Sequence, residues 1–144
     1  MHLAQLNVAR MLDTRDSERM ASFMERLATV NAAADRAPGF VWRLQDDDGP
    51  GAIGQALNDD DLLLVNLSVW TDLESLRDFV YQELGHREAL ASRRQWFEKP
   101  LEPMTVCWYV TDGHRPTVDE ADMMLARLRE VGPSADVFPF TGRD

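Results

Sequence analysis

Cysteine is nearly absent from this sequence, since Cys107 is the only one among 144 residues. An intramolecular disulfide is therefore excluded, which is typical of proteins from a reducing compartment. No apolar run approaches the roughly 20 residues that cross a bilayer as a helix. The N-terminus also lacks the charged lead and long apolar stretch of a secretory signal. These absences predict a cytoplasmic protein with no membrane partner.

Basic residues are scarce as well. Lysine and arginine number 15 against 25 aspartates and glutamates, which gives a formal net charge of −10. Because binding to a phosphate backbone requires a basic surface, nucleic acid is not an expected partner. Two aspartate triplets, at 46–48 and 59–61, hold part of the acidity. Adjacent aspartates point in different directions and match no known ligand spacing, so we predict solvated loop ends and no metal site.

Motifs that hold common cofactors or nucleophiles are missing too. The sequence has no P-loop motif of the GxxxxGK[ST] type, GxSxG elbow, CxxC pair or HExxH helix. Cys107 lies between Val106 and Trp108 in a predicted strand, which favours a small buried residue over a nucleophile. We therefore predict no bound cofactor.

The length fits one domain, spanning 1–144, with a core of reasonable size. Apolar periodicity predicts an α+β fold with the ferredoxin-like order βαββαβ, an extra C-terminal helix and a tail expected to dock on the body or a partner. The predicted strands cover 3–11, 40–45, 62–70 and 104–111, with a loop at 46–61. Three helices are predicted. The first runs from 16 or 17 to 36, and the second begins at a capping box at 71–74 and has a continuation over 86–97. The third runs from a second capping box at 117–120 to Gly132.

The strand at 62–70, LLLVNLSVW, has one wholly apolar face and one that mixes Asn66, Ser68 and Trp70 with leucines. The strand at 104–111 is also nearly free of charge on both faces. Both sides of the sheet are thus expected to be covered, and the two main helices cover one. This pattern predicts a homodimer that packs sheet against sheet, as a dimeric α+β barrel. The alternative is that the C-terminal helix and tail cover the second side within one chain.

Asn66 and Trp70 share a strand face, and Asn7 lies on a strand expected to be the neighbour. Carboxamides can donate hydrogen bonds to a developing oxyanion, and tryptophan can stack on a flat ligand. We therefore predict a small-molecule pocket lined by these three residues. The alternative is that each asparagine satisfies backbone groups in an irregular sheet.

His86 lies in a helical pattern near this predicted pocket, where an imidazole can act as a base or bind haem. The alternative is a partly exposed helix histidine at the break beside Gly85. Arg93 and Arg94 lie close to Trp96, and one guanidinium is a candidate clamp for a carboxylate or phenolate. The alternative pairs an arginine with surface acids while Trp96 packs.

Strand two offers two further candidates for ligand binding, Trp42 and Arg43. They point to opposite faces of the predicted strand, so at most one of them lines the same pocket.

Several segments together resemble a bacterial family of unknown function over nearly the whole chain. They are HLAQLNVAR, PGFVWRLQ, LLVNLSVW with LESLRDFVY, HREALASRRQWFE and GHRPTVDEA. The resemblance implies the dimeric α+β barrel of the antibiotic-biosynthesis monooxygenase superfamily. Cofactor-independent anthrone-type monooxygenases have an Asn and a Trp four residues apart on one strand, similar to Asn66 and Trp70. Haem-degrading members have an Asn, a Trp and a helix His, similar to Asn7, Trp70 and His86.

Three functions are therefore expected. The first is an enzyme that oxygenates an aromatic or polyketide-like substrate without a cofactor, with His86 as base, Asn66 and Trp70 at the reacting group, and the other candidates binding substrate. The second is a haem-binding or haem-degrading protein with His86 as axial ligand. The third is a non-catalytic ligand-binding or structural dimer, in which Asn66 bonds only to backbone and Trp42, Trp70 and Trp96 fill the pocket.

Overall fold

The computed structural model describes residues 1–14, 16–45, 52–53, 62–84, 95–99 and 104–140. Its elements are β1 (His2–Arg10), α1 (Ala21–Asp35), β2 (Phe40–Arg43), β3 (Ala52–Ile53), β4 (Leu63–Trp70), α2 (Leu73–Leu84), β5 (Thr105–Val110), α3 (Val118–Val131) and β6 (Val137–Phe138). The predicted α+β fold with an extra C-terminal helix is confirmed. The short strand β3 was not predicted, and it lies within the segment predicted to be a loop. No helix in these ranges is long and apolar enough to cross a membrane.

The sheet has the strand order β2-β4-β1-β5-β6, and β3 also pairs with β4. The described strand pairs are all antiparallel. β1 and β4 lie in the middle, in a register that runs from Leu3 opposite Trp70 to Arg10 opposite Leu63. This is the ferredoxin-like arrangement. The tail docks on the body as predicted, because β6 extends the sheet at β5 with Phe138 opposite Cys107.

The two sides of the sheet pack against different helices. On one side, called the α3 side, side chains of the strands form a single core with α3; its members include Leu6, Val8, Val65, Leu67, Val106, Trp108, Ala121, Leu125 and Leu128. On the other side, called the α1–α2 side, two smaller clusters lie apart. One cluster contains Leu3, Ala34, Trp70, Leu76 and Cys107, and the other contains Met11, Met20, Leu27, Leu64 and Trp96.

The homodimer was predicted in order to cover the side of the sheet that is here the α3 side. Ala121, Leu125 and Leu128 of α3 pack into its core, and strand residues such as Val65 and Val106 are almost fully buried within one chain. This is the alternative that the sequence left open. The argument for sheet-to-sheet packing loses its premise, because α3 supplies the cover. The homodimer remains a prediction.

The helix starts partly match the predicted capping boxes. Thr117 Oγ1 accepts a hydrogen bond from the Glu120 backbone N–H at 3.1 Å, so the hydroxyl half of the second capping box is confirmed. The first box is displaced by one residue, because Asp72 Oδ1 accepts from the Ser75 N–H at 2.7 Å. A carboxylate is at least as good an N-cap as the threonine hydroxyl. Helix α1 begins at Ala21, later than predicted, since residues 16–20 form turns.

Candidate functional site

Four polar side chains cross the α1–α2 side between its two apolar clusters. They are Gln5 and Asn7 of β1 and Asn66 and Ser68 of β4, together called the polar band. Gln5 lies directly opposite Ser68, and Asn7 directly opposite Asn66. Because side chains alternate along a strand, all four project to the same side. The strand order thus brings Asn7 and Asn66 together, as the sequence led us to expect.

Hydrogen bonds join the polar band into one network. The Gln5 amide donates from Nε2 to Asn66 Oδ1 at 2.9 Å and to Ser68 Oγ at 2.7 Å. The Trp70 indole N–H donates to the same Ser68 oxygen at 3.0 Å. A serine oxygen has two acceptor positions, so Ser68 has only its O–H hydrogen left for a further acceptor. Asn66 likewise has its carbonyl oxygen held by Gln5, which orients its NH₂ group.

Aromatic clusters lie along the strands beyond each end of the band. At one end, the Trp70 ring lies 5.5 Å from Phe40 and 5.2 Å from Phe79. At the other end, Trp96 lies 5.3 Å from Phe23. Trp70 is only 2% exposed, so it has no open ring face for the stacking role expected of it. It reaches the band through its N–H instead.

Solvent reaches the band from one direction. Asn7 is exposed and Asn66 is partly exposed, although both lie in the middle of the sheet. Gln5 and Ser68 are 8% and 5% exposed. The band therefore runs from a solvent-exposed end at Asn7 to a buried end at Ser68.

Two further polar side chains lie between the sheet and α1. Arg43 of β2 is directly opposite Ser68, so it projects to the α1–α2 side. Its Nε and Nη2 atoms donate to the two Asp35 carboxylate oxygens at 2.9 and 3.3 Å. Asn31 of α1 is 5% exposed. Within the described part of the chain, Arg43 Nη1 and Asn31 Nδ2 are buried and have no hydrogen-bond partner.

The remaining predicted site residues are not all near the band. Trp42 packs against the core of the α3 side, so it lies on the opposite side of the sheet from Asn66. Trp96 lies on the same side of the sheet as the band, but its ring packs within the second apolar cluster of that side. His86, Arg93 and Arg94 lie outside the described residues.

Sequence reasoning did not select Gln5, Ser68 or Asn31 as site residues. The signal for the first two was their position, because each shares a strand face with Asn7 or Asn66. Asn31 lies four residues after Leu27 and three before Ala34, and these three are the buried residues of α1. A polar residue at an apolar position of an amphipathic helix is the signal that would have found it.

Other reactive groups do not join the band. Burial raises the pKa of the Cys107 thiol to about 12, against a smaller lowering by the charge of Arg77. This agrees with the prediction of a small buried residue. Of the described histidines, His2 contacts Asp112 and His114 contacts Glu120. No group of three or more possible metal ligands occurs among the residues with described positions.

A surface cavity of about 350 Å³ lies between the end of α1 and α2. Its walls include Arg36, Asp78, Phe79 and Gln82, and no residue of the polar band contributes. Phe79 also packs on Trp70, so this aromatic cluster separates the cavity from the band. The surface cavity and the polar band are therefore distinct sites.

Comparison with known proteins gives a family and a set of distant structural likenesses. Residues 2–143 match the family model described as "Domain of unknown function (DUF3291)". No curated protein matches the chain. Among solved structures, SnoaB, a cofactor-independent oxygenase from Streptomyces nogalater, is 21% identical, with a TM-score of 0.48 over 81% of this chain and 95% of that one. A putative antibiotic biosynthesis monooxygenase from Nitrosomonas europaea is 13% identical, with a TM-score of 0.47 over 79% and 94%. At these values the likeness carries no argument about activity.

Proposed function

The chain belongs to the DUF3291 family, and we propose that it binds a small aromatic molecule with carbonyl or phenolic oxygens in the polar band. We further propose that it acts on this molecule as a monooxygenase-like enzyme without a bound cofactor. The observation that carries the proposal is the polar band itself, a hydrogen-bonded set of amides and a hydroxyl on the helix-covered side of the sheet. A purely structural side would carry apolar residues at these positions.

The hydrogen bonds of the band support a binding role for Asn66. Its carbonyl oxygen accepts from Gln5, so its NH₂ group is oriented before any ligand arrives. Donors fixed in advance stabilise an oxyanion without reorganisation at the moment of reaction. The third expected function, a non-catalytic ligand-binding or structural dimer, predicted that Asn66 bonds only to backbone, whereas its carbonyl oxygen accepts from the Gln5 side chain.

The exposure gradient supports entry of a ligand from the Asn7 end. The exposed amide of Asn7 lies opposite Asn66, so both can meet the same oxygen atom. Asn66 and Ser68 are two residues apart along β4, so their side chains are separated by about 7 Å along the strand. One ring system can therefore present oxygens to both residues.

The proposed reaction needs no external reductant. In an anthrone-type substrate, a ring CH₂ loses a proton to give an electron-rich enolate, which reacts with O₂. One oxygen atom remains on carbon as C=O, and the other leaves in H₂O with the two hydrogens of the CH₂ group. The polar band stabilises the enolate oxygen, and water exclusion protects the intermediate. We assign the proton acceptor to His86, which lies outside the described residues.

Binding is tested with 1,8-dihydroxyanthraquinone, a coloured probe of this class, titrated into wild type and Asn66→Ala. Loss of one good hydrogen bond to a ligand oxygen corresponds to roughly tenfold weaker binding. Gln82→Ala is the control, because Gln82 lines the separate surface cavity. Absence of binding to wild type, or equal affinity of wild type and Asn66→Ala, contradicts the proposal.

Turnover is tested with 1,8-dihydroxyanthrone and an oxygen electrode. We expect one O₂ consumed per quinone formed, at a rate above the uncatalysed autoxidation, and a rate reduced to that background in His86→Ala. Probe binding without enzyme-dependent oxygen uptake would reduce the proposal to a ligand-binding protein.

A further inference from the structure

Two buried N–H donors on the α1–α2 side have no acceptor among the described residues. They are Asn31 Nδ2 and Arg43 Nη1. An unpaired buried donor is destabilising, and native structures contain few of them. Two such donors on one side of the sheet therefore require an explanation beyond packing.

Helix geometry brings the two donors to the same place. Asn31 and Asp35 are four residues apart on α1, so their side chains are neighbours on one face of the helix. Helical side chains lean toward the N-terminus, which tilts Asp35 toward Asn31. Asp35 in turn holds the Arg43 guanidinium through two hydrogen bonds. Arg43 is thus held against the face of α1 that carries Asn31.

The same place is continuous with the buried end of the polar band. Arg43 lies directly opposite Ser68 across β2 and β4, and Ser68 lies directly opposite Gln5. Opposite residues of an antiparallel pair are about 5 Å apart. The row Gln5, Ser68, Arg43 therefore leads from the band to the unpaired donors.

We infer that Asn31 and Arg43, called the donor pair, form a second subsite that binds another oxygen atom of the ligand. This inference rests on the proposed function, and it defines the substrate class further. The ligand carries one oxygen at the polar band and a second oxygen on the part of the ring system that points toward β2 and α1.

Charge decides which kind of oxygen the donor pair takes. The Arg43 charge is already balanced by Asp35, and the protein carries a formal net charge of −10. A carboxylate at this subsite would place an uncompensated negative charge beside Asp35, in a location where desolvation is costly. A neutral carbonyl oxygen accepts both N–H groups without that penalty. The ligand class is therefore an aromatic ketone with a second neutral oxygen at a separated position, which the quinone product of the proposed reaction has and its anthrone substrate lacks.

Two matched probes separate this subsite from the polar band. 1,8-Dihydroxyanthraquinone and 1,8-dihydroxyanthrone share one carbonyl and two hydroxyls, but only the quinone has a second carbonyl on the opposite side of the central ring. Under argon, we expect wild type to bind the quinone about tenfold more tightly, as one additional hydrogen bond of about 1.4 kcal/mol implies. Asn31→Leu and Arg43→Lys should remove this preference and leave anthrone affinity unchanged. Asn66→Ala should weaken both probes equally.

The unfolding midpoint in urea provides a second readout. Leucine has nearly the shape of asparagine and no donor, so Asn31→Leu should raise the midpoint of the ligand-free protein. Thr29→Leu, at an exposed position of the same helix, is the control for helix propensity. A residue with a purely structural polar role would lower the midpoint when replaced.

The outcomes distinguish the two proposals. If wild type binds both probes equally and the donor-pair variants change nothing, the second subsite is refuted while the polar band stands. If wild type binds neither probe, the proposed function fails for this substrate class. The donor pair then fails with it, whereas a lower midpoint for Asn31→Leu overturns the donor pair alone.

Discussion

Removing the Ser68 hydroxyl should destabilise the protein far more than an ordinary serine-to-alanine change. Ser68 Oγ accepts hydrogen bonds from Gln5 Nε2 at 2.7 Å and Trp70 Nε1 at 3.0 Å. Gln5 is 8% exposed and Trp70 2%, so water cannot replace the lost acceptor. In Ser68→Ala two buried donors are left unpaired.

The magnitude follows from the number of donors. Each unpaired buried donor costs about 1–3 kcal/mol, which gives about 2–5 kcal/mol for the pair after partial reorientation of the Gln5 amide. That is a large part of the roughly 5–15 kcal/mol that stabilises a typical domain. For a chain of this length it corresponds to a fall in Tm of about 4 °C per kcal/mol.

Urea unfolding followed by tryptophan fluorescence and circular dichroism measures the effect. Ser22→Ala is the matched control, since Ser22 is exposed on α1 and alanine is the better helix former. In a Trp70→Phe background, one of the two donors is already gone, so Ser68→Ala should cost about 1–2 kcal/mol less. A free energy of unfolding within about 0.5 kcal/mol of wild type for Ser68→Ala would refute the network, because that range is typical of surface substitutions.

Three further predictions concern other parts of the fold. Gly39 has a φ of +83°, and an added Cβ would collide with the Ser75 side chain, so Gly39→Ala should cost about 2–4 kcal/mol in urea unfolding. Gly113 has a φ of +88° but lies in open space, so Gly113→Ala should cost only about 1–2 kcal/mol. Equal costs for the two variants would contradict the steric argument. The Ser75 N–H hydrogen bond lowers the pKa of Asp72 below its ordinary value of 3.8, so its stabilising effect is present above that value and is lost as the pH falls through the folded-state pKa. Asp72→Ala should therefore be less stable than wild type near neutral pH, with a difference that shrinks in acid, and a constant difference would argue against the cap. Cys107, with its pKa raised to about 12 by burial, should resist iodoacetamide at about pH 8 in the folded protein and react fully in concentrated urea; mass spectrometry of the intact chain would reveal rapid native-state alkylation if this were wrong.

Local sequence patterns were sufficient to predict the main strands and helices and their order, but not the short strands β3 and β6. Alternation in the segment that became β4 and the helical spacing that became α1 depend only on neighbours within a few residues, and the observed bounds differ from the predicted ones by a few residues. The strand order then placed Asn7 beside Asn66. These steps need no knowledge of long-range contacts beyond the topology.

The second side of the sheet could not be assigned in this way. The sequence predicted α3 as an amphipathic helix but contained no local signal for the side against which Ala121 and Leu125 pack. A helix and a second subunit are equally good covers for an apolar face. Only the long-range packing of α3 distinguishes them.

The candidate site was predictable in part for the same reason. Asn66 was selected because it interrupts an apolar strand, whereas the partners of Ser68 depend on the register between β1 and β4. The Arg43–Asp35 contact joins a strand to a helix, and the spacing of eight residues between them is neither a helical nor a strand period. Asn31 gains its significance only because no acceptor meets it, a property that no sequence pattern expresses.

The two sides of the sheet differ in composition. The α3 side carries one continuous apolar core, which includes Val65 and Leu67 of β4. The α1–α2 side is split by polar residues from the same strand, Asn66 and Ser68. Because side chains alternate, a single strand can supply both environments, and the continuous core on one side stabilises the sheet that carries the polar band on the other. Because α3 already covers the apolar side, the ligand site proposed above needs only the polar residues of the opposite side.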